Sequence, residues 1–77
     1  MDIREVFARN LRKLRQEKGL SQEALADEAG IDWTYVSALE RAVYSASITT
    51  VAKLAEVFDV EPAVLLQLPG KPTGNKG

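Results

Sequence analysis

Apolar residues recur along this chain in a helical rhythm. Ile3, Phe7, Leu11 and Leu14 stand four, four and three positions apart, one stripe of an amphipathic helix over 3–18 with basic residues on its other faces. Gly19 is a natural stop for that helix. Ser21 predicts the cap of a second helix over 22–29, which Gly30 ends by supplying a left-handed residue. Asp32 predicts the cap of a third, over 33–41, and so brief a connection makes the two short helices cross steeply. Ser47 predicts the start of a fourth over 48–58, with Ile48, Val51, Leu54, Ala55 and Phe58 as its inward stripe. Glu61-Pro62 opens a fifth over 62–67, since proline suits a first helical turn, and Val64, Leu65 and Leu68 continue its apolar side. No segment alternates as a strand would. The expected fold is all-α: five helices in one domain over 1–68, with Phe7, Leu11, Leu14, Leu25, Val36, Leu39, Val51, Leu54 and Phe58 in one core. Residues 69–77 contain nothing apolar enough to pack and are expected to form a flexible tail.

Composition narrows the chemistry. Seventy-seven residues, 45% of them hydrophobic, suffice for one small core. With no cysteine and no histidine there is no disulfide framework and no thiolate nucleophile, so neither a metal site nor a cofactor is expected. No apolar run approaches the roughly 18 residues of a membrane span, and the first residues lack a signal-peptide pattern. A cytoplasmic location is therefore expected. The net charge of −1 looks unpromising for a nucleic-acid partner, but its distribution is uneven. Residues 1–20 are net +3, residues 21–40 carry five acids and no base, and residues 41–77 are net +1.

The sharpest signal lies between Gln22 and Arg41. A helix-turn-helix needs a small residue where the second helix crosses the first, and Ala26 stands there. It needs glycine at the turn, which is Gly30, and inward apolar residues from both helices, which are Leu25, Ala29, Ile31, Val36 and Leu39. Each requirement is weak alone; at fixed offsets they are specific together. The segments Gly19-Leu-Ser-Gln-Glu-Ala-Leu-Ala26 and Gly30-Ile-Asp-Trp-Thr-Tyr-Val-Ser-Ala-Leu-Glu-Arg41 resemble the lambda-repressor/Cro-like helix-turn-helix family. The Ile-Asp-x-Thr-Tyr-Val-Ser version is especially similar to small stand-alone regulators, including restriction–modification controller proteins. The resemblance covers residues 5–68.

That resemblance implies a DNA-binding transcriptional regulator whose third helix enters the major groove while the second crosses the backbone. By position it implies that Trp33, Thr34 and Ala38, on the outward face, meet base edges. It likewise gives Gln22, Ser37 and Arg41 to phosphates, to which the charge of the first helix adds Arg12, and makes Arg15 and Glu40 a structural pair tying the first helix to the third. The plainer readings stand beside these: Gln22 as a solvated helix residue, Tyr35 as half-buried packing against the fourth helix or the loop before it, and Lys53 as a solvated cation. Trp33 stands where the family often has arginine and cannot make a bidentate guanine contact. It suits thymine methyls, sugar edges or a protein partner. Ala42 stands where the family prefers glycine, and a left-handed alanine there costs roughly 1 kcal/mol. The loop before Ser47 lacks the family's usual Asn-Pro.

The expected partners are double-stranded DNA with a palindromic operator and a second copy of the chain. Val60, Val64, Leu65, Leu66 and Leu68 are too many aliphatics for one face of a short terminal helix, so Val64, Leu65 and Leu68 are expected at a dimer interface. The alternative is an antitoxin-like protein-interaction module presenting Trp33, Tyr44 and the acidic surface. An enzyme is the weakest reading, since no nucleophile–base pair, phosphate loop or enclosing chain length is present.

Overall fold

The computed structural model describes residues 2–68. Four α-helices follow in order, α1 (Ile3–Glu17), α2 (Gln22–Ala29), α3 (Trp33–Glu40) and α4 (Ile48–Phe58), closed by a 3₁₀ turn over Pro62–Leu66. Among the described residues there is no strand, and no helix is long and apolar enough to cross a membrane. The expected tail, 69–77, lies outside the described residues.

Every α-helix opens on a side-chain cap. Asp2, Ser21, Asp32 and Ser47 sit in extended backbone, and their oxygens accept from the amides of Arg4, Ala24, Thr34 and Thr50 respectively. Every α-helix also closes in one way, on a left-handed residue: Gly19, Gly30, Ala42 or Asp59. The next amide then reaches back to a carbonyl of the last turn, Leu20 to Arg15, Ile31 to Ala26, Val43 to Ala38 and Val60 to Ala55, each at 3.0 Å. A Cβ on Gly30 would meet nothing within 4 Å, so glycine is needed there for its φ of +70° and not for space. Ala42 adopts φ +59° with a methyl attached, the left-handed conformation for which an alanine costs roughly 1 kcal/mol.

The core collects one to three residues from each element. Leu11, Leu25, Val36, Leu39, Leu54 and Leu65 are fully buried, with Phe7, Ala26, Ala29 and Ala55 in the same cluster. Leu14, Val51 and Phe58, expected in the core, pack against it and are partly buried. Ile48 departs from the expected stripe and is 89% exposed. A helical Cα–Cβ bond tilts toward the helix's N-terminus, so the first residue of α4 points off its end, away from the body.

The C-terminus corrects the sequence reading twice. The expected fifth α-helix is a five-residue 3₁₀ turn without a side-chain cap, and Gln67 is already extended. Proline at position 69 disfavours helical backbone at Leu68, leaving no room for a second turn. Leu65, expected at a dimer interface, is instead fully buried in the domain's own core. Asn10 of α1 anchors the segment, its Nδ2 donating to the carbonyls of Leu65 at 2.9 Å and Gln67 at 2.8 Å. Val64 is half-buried, while Leu66 and Leu68 are 44% and 42% exposed.

Candidate nucleic-acid interface

Gly30 ends α2 and Asp32 caps α3, so two residues turn the chain from one helix into the next. Ala26 and Ala29 have side chains small enough for the two axes to approach, and both are buried. Val36 and Leu39 enter the core from α3 with no exposure, which fixes the helix about its own axis. The same rotation leaves Trp33, Thr34 and Arg41 exposed and Ser37 half-exposed on one outer face.

Ala38 does not share that face. It is only 4% exposed, and the backbone beyond it reverses through left-handed Ala42, with the Val43 amide returning to the Ala38 carbonyl at 3.0 Å. A base-edge contact from its methyl is therefore corrected: the side chain is buried and not presented on the outer face. Tyr35 is half-buried, as expected, and its hydroxyl accepts from the Ser47 amide at 3.4 Å.

Behind the outer face lies a buried carboxylate. Glu40, 4% exposed, accepts from Arg15 Nε at 2.6 Å and Arg15 Nη2 at 3.0 Å, the two-pronged pairing expected of these residues. Arg15 also donates Nη1 to the carbonyl of Leu20, and the hydrogen bond to Glu40 holds its guanidinium above its ordinary range. Gln22 is no free surface amide. Its Nε2 donates to Glu40 Oε1 at 3.1 Å, and its Oε1 accepts from the indole Nε1 of Trp33 at 3.4 Å. Arg12 donates Nη2 to the Glu40 carbonyl at 2.8 Å, closing the C-terminus of α3. Its side chain lines a shallow groove with Glu5, Arg9 and Arg41, so cations from α1 and α3 meet on one side of the domain.

At the other end of α3, Asp32 Oδ1 accepts from both the backbone amide of Thr34 at 2.8 Å and its hydroxyl at 2.6 Å. The Thr34 hydroxyl, and then its amide, hold the Asp32 carboxyl below the ordinary 3.8. The sequence reading missed this second bond although Asp-x-Thr at a helix start signals it. It also missed Gln22–Glu40, which no local pattern shows because 18 residues separate the partners. Arg9 was legible only as one of six bases in the first twenty residues. Among the described residues no group of three or more acidic side chains is placed to hold a metal ion.

Comparison with known proteins agrees with the helix-turn-helix fold. A helix-turn-helix family model (HTH_3) matches residues 11–65. A hypothetical transcription factor of Neisseria meningitidis is 43% identical over 68 residues, 88% of this chain; the chain spans only 64% of that protein's length. The crystal structure of such a factor, NHTF from Neisseria, superposes with a TM-score of 0.85 at 43% identity, covering 88% of this chain and 78% of that one. The restriction-modification controller protein C.AhdI of Aeromonas hydrophila gives a TM-score of 0.78 at 44% identity, over 80% of this chain and 94% of that one. Control protein C.SmaI of Serratia marcescens is 36% identical over 70 residues, 91% of this chain and 83% of its own.

Proposed function

The chain belongs to the helix-turn-helix family, and from that premise we propose that it is a sequence-specific DNA-binding transcriptional regulator. It works in the cytoplasm as a homodimer on a palindromic operator and performs no catalysis. The observation that carries this reading is the outer face of α3. Trp33, Thr34, Ser37 and Arg41 stand outward while Val36 and Leu39, wholly buried, lock the helix against turning. In this reading α3 lies in the major groove, with Trp33 and Thr34 at base edges. Ser37, Arg41, Gln22 and Arg12 face phosphates; Arg12 and Gln22 retain donor hydrogens beyond those they use internally. The dimer contact passes from Leu65, which is buried, to exposed Leu66 and Leu68 beside half-buried Val64. Leu66 borders an apolar groove with Ile3, Phe7 and Tyr44, which extends the surface available to a second copy.

Selection of bound duplexes from a random pool, followed by footprinting, tests the reading. Two inverted half-sites with centres about one helical turn apart are expected. Failure to enrich any duplex would overturn it. Since residues 21–40 are net −5, binding should weaken with salt less steeply than for a repressor making many phosphate contacts, where log–log slopes of roughly −5 to −9 occur.

A further inference from the structure

The two outward side chains that open α3, Trp33 and Thr34, have their hydrogen-bond donors occupied. Thr34 donates its hydroxyl hydrogen to Asp32 Oδ1 at 2.6 Å, and Trp33 directs its indole N–H to Gln22 Oε1 at 3.4 Å. The Thr34 bond persists at neutral pH because Asp32 ionises below the ordinary 3.8 and stays an acceptor. What Thr34 still offers outward is the acceptor capacity of its hydroxyl oxygen, together with a methyl group. What Trp33 offers is an indole ring that is 51% exposed.

Taken together these leftovers match an A·T pair best: cytosine N4 also offers an amino donor, but only A·T adds a methyl group. Guanine presents N7 and O6 to the major groove, two acceptors best met by an arginine or lysine fork. Residues 33–40 contain neither residue, and Arg41 stands about 12 Å along the helix axis from Trp33, at 1.5 Å per residue. Adenine instead presents its N6 amino group, a donor that needs an acceptor, and thymine presents a methyl that needs an apolar surface.

We infer that the first turn of α3 selects A·T pairs: Thr34 Oγ1 accepts from an adenine N6 amino group, and the Trp33 ring covers a thymine methyl. The inference rests on the DNA-binding reading above and adds to it which bases are chosen and by which atoms. Glu40 and Gln22 act here as positioning residues, because the bonds from Gln22 to Glu40 and from Trp33 to Gln22 join the indole to a buried carboxylate.

Duplex selection with wild type, Trp33→Ala and Thr34→Val tests the inference, with thermal melts confirming that both variants fold. Each variant is expected to relax an A·T preference at one position of the half-site. Replacing thymine by uracil at the Trp33-dependent position removes only the methyl. It should weaken wild type about fourfold, the value of burying one such group, and leave Trp33→Ala unaffected. Replacing adenine by purine at the Thr34-dependent position removes N6. It should weaken wild type about fivefold, as loss of one hydrogen bond does, and leave Thr34→Val unaffected. Guanine or cytosine at the relaxed positions, no relaxed position at all, or equal binding of the substituted duplexes would overturn the inference while DNA binding stands. A pool in which wild type enriches nothing overturns both.

Discussion

The α2–α3 pair and the closing segment 59–68 are built from similar material, short runs of aliphatic residues broken by capping and turn signals, yet they are held in different ways. In α2–α3 both helices start on a side-chain cap, and the turn between them has glycine at its left-handed position. The closing segment has no side-chain cap and is a 3₁₀ turn held from outside. Asn10 gathers two of its carbonyls, and Leu65 drops into a pocket of the core. Where local signals saturate the backbone's hydrogen-bonding needs, the neighbours only orient the unit. Where they do not, the neighbours decide its shape.

The largest expected effect tests how the first region is oriented. Arg15→Ala leaves Glu40 buried with only Gln22 as a side-chain partner, and should lower stability by about 3–5 kcal/mol in denaturant titration. A loss below about 1 kcal/mol would show that the Arg15–Glu40 pair does not hold the α2–α3 unit in place, since surface pairs are worth no more than that. Next comes Leu65→Ala in the second region, expected to cost about 3 kcal/mol, as cavities at fully buried leucines do. Leu65→Asp should unfold the chain and not merely dissociate it; a folded monomer by sedimentation would return Leu65 to the interface.

Asn10→Ala removes both anchors of the closing segment and should cost about 1–3 kcal/mol, two hydrogen bonds' worth. Amide exchange should accelerate at Leu65 and Gln67 well before it does in α2. Ala42→Gly should have the opposite sign and stabilise by about 1 kcal/mol in thermal unfolding, by relieving the one methyl-bearing left-handed residue in the helix-turn-helix region. The smallest effect is on pH. Asp32 has a lowered pKa in the folded chain, so its capping contribution is fully present above the ordinary 3.8 and fades as pH falls through the folded value below it. The stability difference between wild type and Asp32→Asn should be flat near neutrality and shrink in acid; a difference that instead grew in acid would contradict the ionised cap.

Much of the fold was legible because the signals were local. Ser21, Gly30, Asp32 and Ser47 each act on backbone within a few residues, so helix starts and the turn at Gly30 follow from neighbours in the chain. The inward positions of Val36, Leu39 and Leu54 follow as directly from helical spacing. The outer face of α3 was legible at Trp33, Thr34 and Arg41 for the same reason, read in reverse. Ala38 was not, since helical spacing alone does not say what packs against a position in the folded chain.

By itself, then, the sequence determined the four capped helices, their order, the helix-turn-helix and the residues that could form a core, because caps, turns and apolar periods operate over one or two turns of chain. Tertiary structure alone decided that residues 62–66 form a 3₁₀ turn, that Leu65 faces inward, and that Gln22 bridges Trp33 and Glu40. Each of those depends on groups brought together from 11 to 57 residues apart. At such separations spacing carries no signal, and packing space and the pairing of buried polar groups choose the outcome.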